Sequence, residues 1–144
     1  MNKNHMRLSF DAISVNEAFA RMAAAAFLMD LDPTLEELDD VKTTVSEAVT
    51  NAIIHAYPEK KEIPQVEMEC TYEGRKLTVV VRDQGVGIAD IAQARQPFYT
   101  SKPEMERSGM GFAFMEAFMD ELEVESVPGK GTCVTMRKQI GGNE

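Results

Sequence analysis

The stretch SEAVTNAIIHAY, residues 46–57, reads as helix, yet a carboxylate, a carboxamide and an imidazole recur in it every four residues: Glu47, Asn51 and His55. Residues four apart on an α-helix lie nearly above one another. At about 100° per residue, Thr44 joins that side, while Val45, Ala48, Val49, Ala52 and Ala56 fall on the other. Alanines at four-residue spacing let a helix pack closely on a sheet. The polar side carries one charge and no lysine or arginine, and Ile54 lies among its members. That composition suits a pocket wall, mainly apolar with a few placed polar groups, better than a face turned to bulk water.

Three further stretches could do chemistry. In VVVRDQGVGI a strand ends in Asp83, followed by Gly85 and Gly87. The carboxylate can accept a hydrogen bond from an amine, and glycines permit close backbone approach to a ligand. In ERSGMGF, Gly109 and Gly111 stand where a loop becomes a helix, and free amides at a helix start attract anions. Lys102 and Arg107 lie just upstream. The segment GKGT, residues 129–132, is a tight turn between strands.

The elements that must position these groups follow from local pattern. Met6 to Phe10 is a short strand. Ser14 and Glu17 have capping-box spacing, and the helix they introduce places Val15, Phe19, Met22, Ala26 and Met29 on one stripe. It should stop near Pro33. Thr34 and Glu37 make a second capping box, for a helix running to about Tyr57. PQVEMECTY alternates as a half-buried strand, Glu73-Gly74 turns, and KLTVVV is β-branched, so the pair reads as a hairpin. A short helical piece near Ile88 to Arg95 and a polar loop to residue 109 precede a methionine- and phenylalanine-rich helix, GMGFAFMEAFMDEL. LEVESV and TCVTMRKQI form a second hairpin. The expected fold is α+β, a two-layer α/β sandwich with helices on one face of a mixed, mostly antiparallel sheet.

Composition bounds the rest. The chain has 144 residues, 44% hydrophobic, which suits one domain with one core. Met22 to Met29, the longest apolar run, is far short of a membrane span, and the N-terminus lacks a signal-peptide pattern, so a cytoplasmic protein is expected with no membrane partner. The formal net charge of −9 argues against direct nucleic-acid binding. Cys70 and Cys133 lie in separate strands and read as reduced, buried thiols.

In order along the chain, the Glu-x-x-x-Asn helix, strand-end D-x-G-x-G, lid-like loop, G-x-G helix start and late G-x-G-T turn resemble the GHKL superfamily of ATP-binding domains, whose fold is the Bergerat type. From Leu35 to the end these motifs match. SEAVTNAIIHAY, VRDQGVGI, ARQPFYTSKPEMERSGMGF and the N-terminal NEAFAR are also similar to the stage II sporulation anti-sigma F family of serine kinases. That resemblance implies ATP/ADP and Mg2+ as cofactors, with Asn51 as metal ligand and Glu47 as general base. It implies that Asp83 reads the adenine amine, that Gly85 and Gly87 pass close to the base, and that Thr132 supports Asp83. Gly109 and Gly111 would present amides to the phosphates. Thr100, Ser101, Lys102, Arg107, Ser108 and Met110 fall on the matching lid and phosphate-binding segment, with Lys102 and Arg107 offsetting γ-phosphate charge.

The implied activity is phosphoryl transfer to serine on an anti-anti-sigma partner, combined with inhibition of a sporulation sigma factor by a homodimer built through the first strand and helix. Arg21, the one basic residue of that helix, is the candidate sigma contact. Arg107-Ser108 departs from the glycine-rich pattern of histidine kinases, and the chain has no phospho-acceptor hairpin or transducer domain. His55 follows Asn51 and reads as a pocket-edge residue; His5 is terminal. Rival expectations are a histidine-directed kinase domain acting in trans and a binding module that uses ATP only to set its shape.

Overall fold

The computed structural model describes residues 2–54, 63–85 and 111–141. Five strands make one sheet: β1 (Lys3–Asp11), β2 (Gln65–Glu73), β3 (Lys76–Asp83), β4 (Glu121–Val127) and β5 (Gly131–Gln139). Their order is β1-β2-β3-β5-β4, and all four pairings are antiparallel. Strand alternation sends Val66, Met68, Cys70, Tyr72, Leu77, Val79, Val81, Val134 and Met136 to one side, where all are buried. The helices α1 (Asn16–Leu28), α2 (Leu35–Ile54) and α3 (Gly111–Phe118) supply the rest of the core, and α2 packs on α1, α3, β2 and β3. This is the two-layer α+β architecture expected. No described helix is long and apolar enough to cross a membrane.

The opposite sheet face is polar. Arg82 on β3 bridges Glu67 (2.9 Å) and Glu69 (2.8 Å) of β2, and His5 of β1 lies 2.5 Å from Glu69. Cross-strand pairs of opposite charge such as those of Arg82 with Glu67 and Glu69 hold neighbouring strands in register. Cys70 is buried and its thiol is pushed up to about 12 by desolvation and by the neighbouring Glu69 charge; Cys133 is half-buried, and both are free thiols.

Of the two expected capping boxes, one forms. The Thr34 amide donates to Glu37 (2.9 Å) and the Glu37 amide donates to the Thr34 hydroxyl (3.1 Å). The Ser14 box does not form: Val15 is the N-cap and contributes no side-chain bond. Glu17 turns inward instead, where its carboxylate pairs with Arg21 at 3.3 Å, so it cannot reach back to Ser14.

The apolar stripe of α1 also faces the other way from a core stripe. Val15, Phe19, Met22 and Met29 are 62%, 64%, 59% and 57% exposed, while Ala20, Ala24 and Leu28 are buried. Small residues let α1 approach α2 closely, and the larger apolar side chains are left outside. Thr44 is buried rather than part of the polar side of α2; its hydroxyl donates to the Val41 carbonyl (3.0 Å). The chain leaves the helical region after Leu31 through Asp32, whose φ of 50° is left-handed, ahead of Pro33.

Candidate functional site

The site is assembled at one end of the sheet. Asp83 closes β3 and pairs in register with Thr132 of β5, which in turn pairs with Ser126 of β4. Inward positions on β3 run Val79, Val81, Asp83, and those on β4 run Leu122, Val124, Ser126. The three polar residues therefore form a cross-strand row that continues the apolar rows of the core on the helix-facing side.

Asp83 is held by its neighbours. Its Oδ1 accepts from the amides of Gly85 (2.9 Å) and Thr132 (3.3 Å). Burial pushes its carboxyl above the usual aspartate range, against the opposing pull of those two hydrogen bonds. Gly131 fits beneath it with φ +124°, a conformation that favours glycine; a Cβ there would collide with the Asp83 carbonyl and lie 2.8 Å from Gln84 Cα. The Ser126 hydroxyl donates to the Gly131 carbonyl (3.1 Å) and lies 3.0 Å from the Thr132 hydroxyl.

The second wall is α2. From Asp40 to Ile54 none of its residues is exposed; Val41, Thr44, Val45, Ala48, Val49, Ala52 and Ile53 are buried and the others are half-buried. Glu47 and Asn51 sit one turn apart in the half-buried stripe, not on a solvated face. Gly111 opens α3 against Asn51: a Cβ at Gly111 would stand 2.9 Å from Asn51 Nδ2. A glycine at this helix start thus leaves room for the carboxamide. The carboxamide and carboxylate oxygens of Asn51 and Glu47 are hard donors of the type Mg2+ takes.

The structure brings Asp83, Gly85 and Thr132 together and sets Asn51 against Gly111. Arg21 lies on α1, a separate element, paired with Glu17. Gly87, Thr100, Ser101, Lys102, Arg107, Ser108, Gly109, Met110 and His55 lie outside the described residues, as do the helical piece near 88–95 and the loop to 109. Gly131 and Ser126 belong to the same cluster but do not stand out in the sequence. Gly131 was visible in G-x-G-T only as a turn residue, and Ser126 only as a polar side chain at an inward position of ELEVESV.

Comparison with known proteins bears on this arrangement. Residues 9–138 match the histidine kinase-like ATPase domain family. The chain is 56% identical over 140 residues to the anti-sigma F factor of Pasteuria penetrans, covering 97% of this chain and 93% of that one. It is 51% identical over 138 residues to the anti-sigma F factor of Bacillus subtilis (strain 168), covering 96% and 94%. The crystal structure of the RsbU and RsbW domains of Rv1364c from Mycobacterium tuberculosis shares the fold, with a TM-score of 0.70 at 17% identity over 95% of this chain and 32% of that one.

Proposed function

As this chain belongs to the anti-sigma F factor family and carries its histidine kinase-like ATPase domain, we propose that it binds ATP with Mg2+, phosphorylates an anti-anti-sigma partner on serine, and holds a sporulation sigma factor inactive. The observation that carries the nucleotide part is Asp83: a half-buried carboxylate at a strand end, oriented by two amides, beside the helix that bears Glu47 and Asn51. In this reading Asp83 Oδ2 accepts from the adenine amine while Oδ1 keeps the loop in shape. Gly85 and Gly87 would let the backbone approach the base.

Asn51 would hold Mg2+ through its carboxamide oxygen, and the ion when bound offsets charge on the phosphates. Glu47, one turn earlier on α2, takes the proton of the attacking serine hydroxyl. Gly109 and Gly111 would present amides to the phosphates, Lys102 and Arg107 would offset γ-phosphate charge, and Thr100, Ser101, Ser108 and Met110 belong to the same nucleotide-binding segment of the chain. The reaction depends on positioning and charge stabilisation more than on covalent participation. The partner surfaces belong to a homodimer built through β1 and α1, where Val15, Phe19, Met22 and Met29 stand exposed and Arg21 is the sigma contact.

The test is transfer of label. Incubated with γ-labelled ATP, Mg2+ and the anti-anti-sigma protein of the same organism, the wild-type chain should place acid-stable phosphate on a serine of that partner. Acid-labile label, or none, would contradict the kinase reading. Glu47→Ala should keep ATP affinity within a few-fold and lose transfer by about 10²–10⁴-fold, the usual worth of a general base.

A further inference from the structure

We propose that Ser126 is a positioning residue for nucleotide selectivity: it fixes the proton of the Thr132 hydroxyl and so makes the base site favour a 6-amino over a 6-oxo purine. This rests on the ATP reading above and concerns a residue that reading does not use. The Ser126 hydroxyl lies 3.1 Å from the Gly131 carbonyl oxygen, which can only accept, so the serine proton is directed there. With that proton committed, the 3.0 Å contact between the two hydroxyls has one polarity: Thr132 donates and Ser126 accepts.

The chain of direction is anchored, because Gly131 is held under the Asp83 carbonyl and Thr132 is tied to Asp83 Oδ1 through its amide. Once its proton points to Ser126, the Thr132 oxygen can offer only lone pairs elsewhere. Beside it stands a carboxylate, also an acceptor. Two acceptors in one cross-strand row suit an amino group, directly or through water. They oppose a carbonyl, which would leave acceptor facing acceptor. Releasing Thr132 from Ser126 lets its hydroxyl rotate and donate, which favours the 6-oxo base.

The experiment compares ATP with inosine triphosphate, which differs in this way at position 6, by calorimetric titration of wild-type, Ser126→Ala and Ser126→Thr proteins. The ratio of inosine triphosphate Kd to ATP Kd should fall about tenfold in Ser126→Ala, the worth of one redirected hydrogen bond. It should stay near wild type in Ser126→Thr, which retains the hydroxyl. An unmoved ratio in Ser126→Ala overturns the proposal, whether or not both affinities drop together, since a merely structural role weakens both alike. An equal fall of the ratio in both variants also overturns it. Wild-type protein that binds no ATP removes the ATP reading itself, whereas ATP binding with an unmoved ratio removes only the role of Ser126.

Discussion

Asp83 carries an ionisable group where burial opposes ionisation. Its folded pKa is raised above the unfolded value, so its contribution to stability is full below the unfolded pKa and is lost as pH rises through the folded one. At neutral pH the charged form is a cost the fold carries for the site. Asp83→Asn retains an oxygen that can accept from the Gly85 and Thr132 amides and removes the half-buried charge. Its melting temperature should exceed wild type at pH 7, the gap closing as pH falls below the aspartate range. Its ATP affinity should drop by roughly 10–100-fold, the worth of a hydrogen bond to a charged group. A parallel loss of stability at pH 7 would count against the assignment. The placement of Glu47, Asn51 and Asp83 was legible in the sequence because helical spacing and a strand end fix where such side chains stand. Gly131 and Ser126 were not, because their importance depends on which residues lie opposite them across β3, β5 and β4.

The two capping-box patterns show what decides between identical local signals at the level of the element. At Thr34 the glutamate serves two ends: Glu37 Oε1 accepts from the Thr34 amide and Oε2 from the Gly141 amide (2.7 Å), joining the start of α2 to the end of β5. Burial pushes the Glu37 carboxyl up, but the Thr34 and Gly141 amides, the Thr34 hydroxyl and the Lys138 charge outweigh it and hold it below the usual range. A lowered folded pKa gives stability that is present above the unfolded pKa and lost as pH falls through the folded one. Thr34→Ala should cost about 1 kcal/mol in denaturant unfolding, and Glu37→Gln should flatten the acid side of the stability profile. An unaltered acid limb in Glu37→Gln would contradict that account. Among the described residues, strand and helix identities were readable from period, and both hairpins stand where alternation put them. The facing of α1 was not, since its apolar residues cover most of the helix and only packing against α2 selects the alanine side.

Taken as a whole, the molecule pairs a candidate site at one end of the sheet with an apolar helix face, α1, beside the outermost described strand β1. Large apolar residues exposed together mark a surface meant to be covered. Phe19→Glu should therefore shift the protein from dimer to monomer in sedimentation velocity at micromolar concentration, with circular dichroism and ATP affinity unchanged, because that side chain is 64% exposed within one chain. A wild-type protein already monomeric under those conditions would remove the dimer from the account. The fold class was legible because strand pairs and helices alternate in an order that few architectures accommodate. The central claim, that Asp83 and Asn51 serve one nucleotide, is tested most directly by a crystal structure with Mg2+ and a nonhydrolysable ATP analogue. The account predicts Asp83 Oδ2 about 3 Å from the adenine amine and Asn51 Oδ1 on the metal; a nucleotide bound elsewhere, or either side chain turned away from it, would contradict the account.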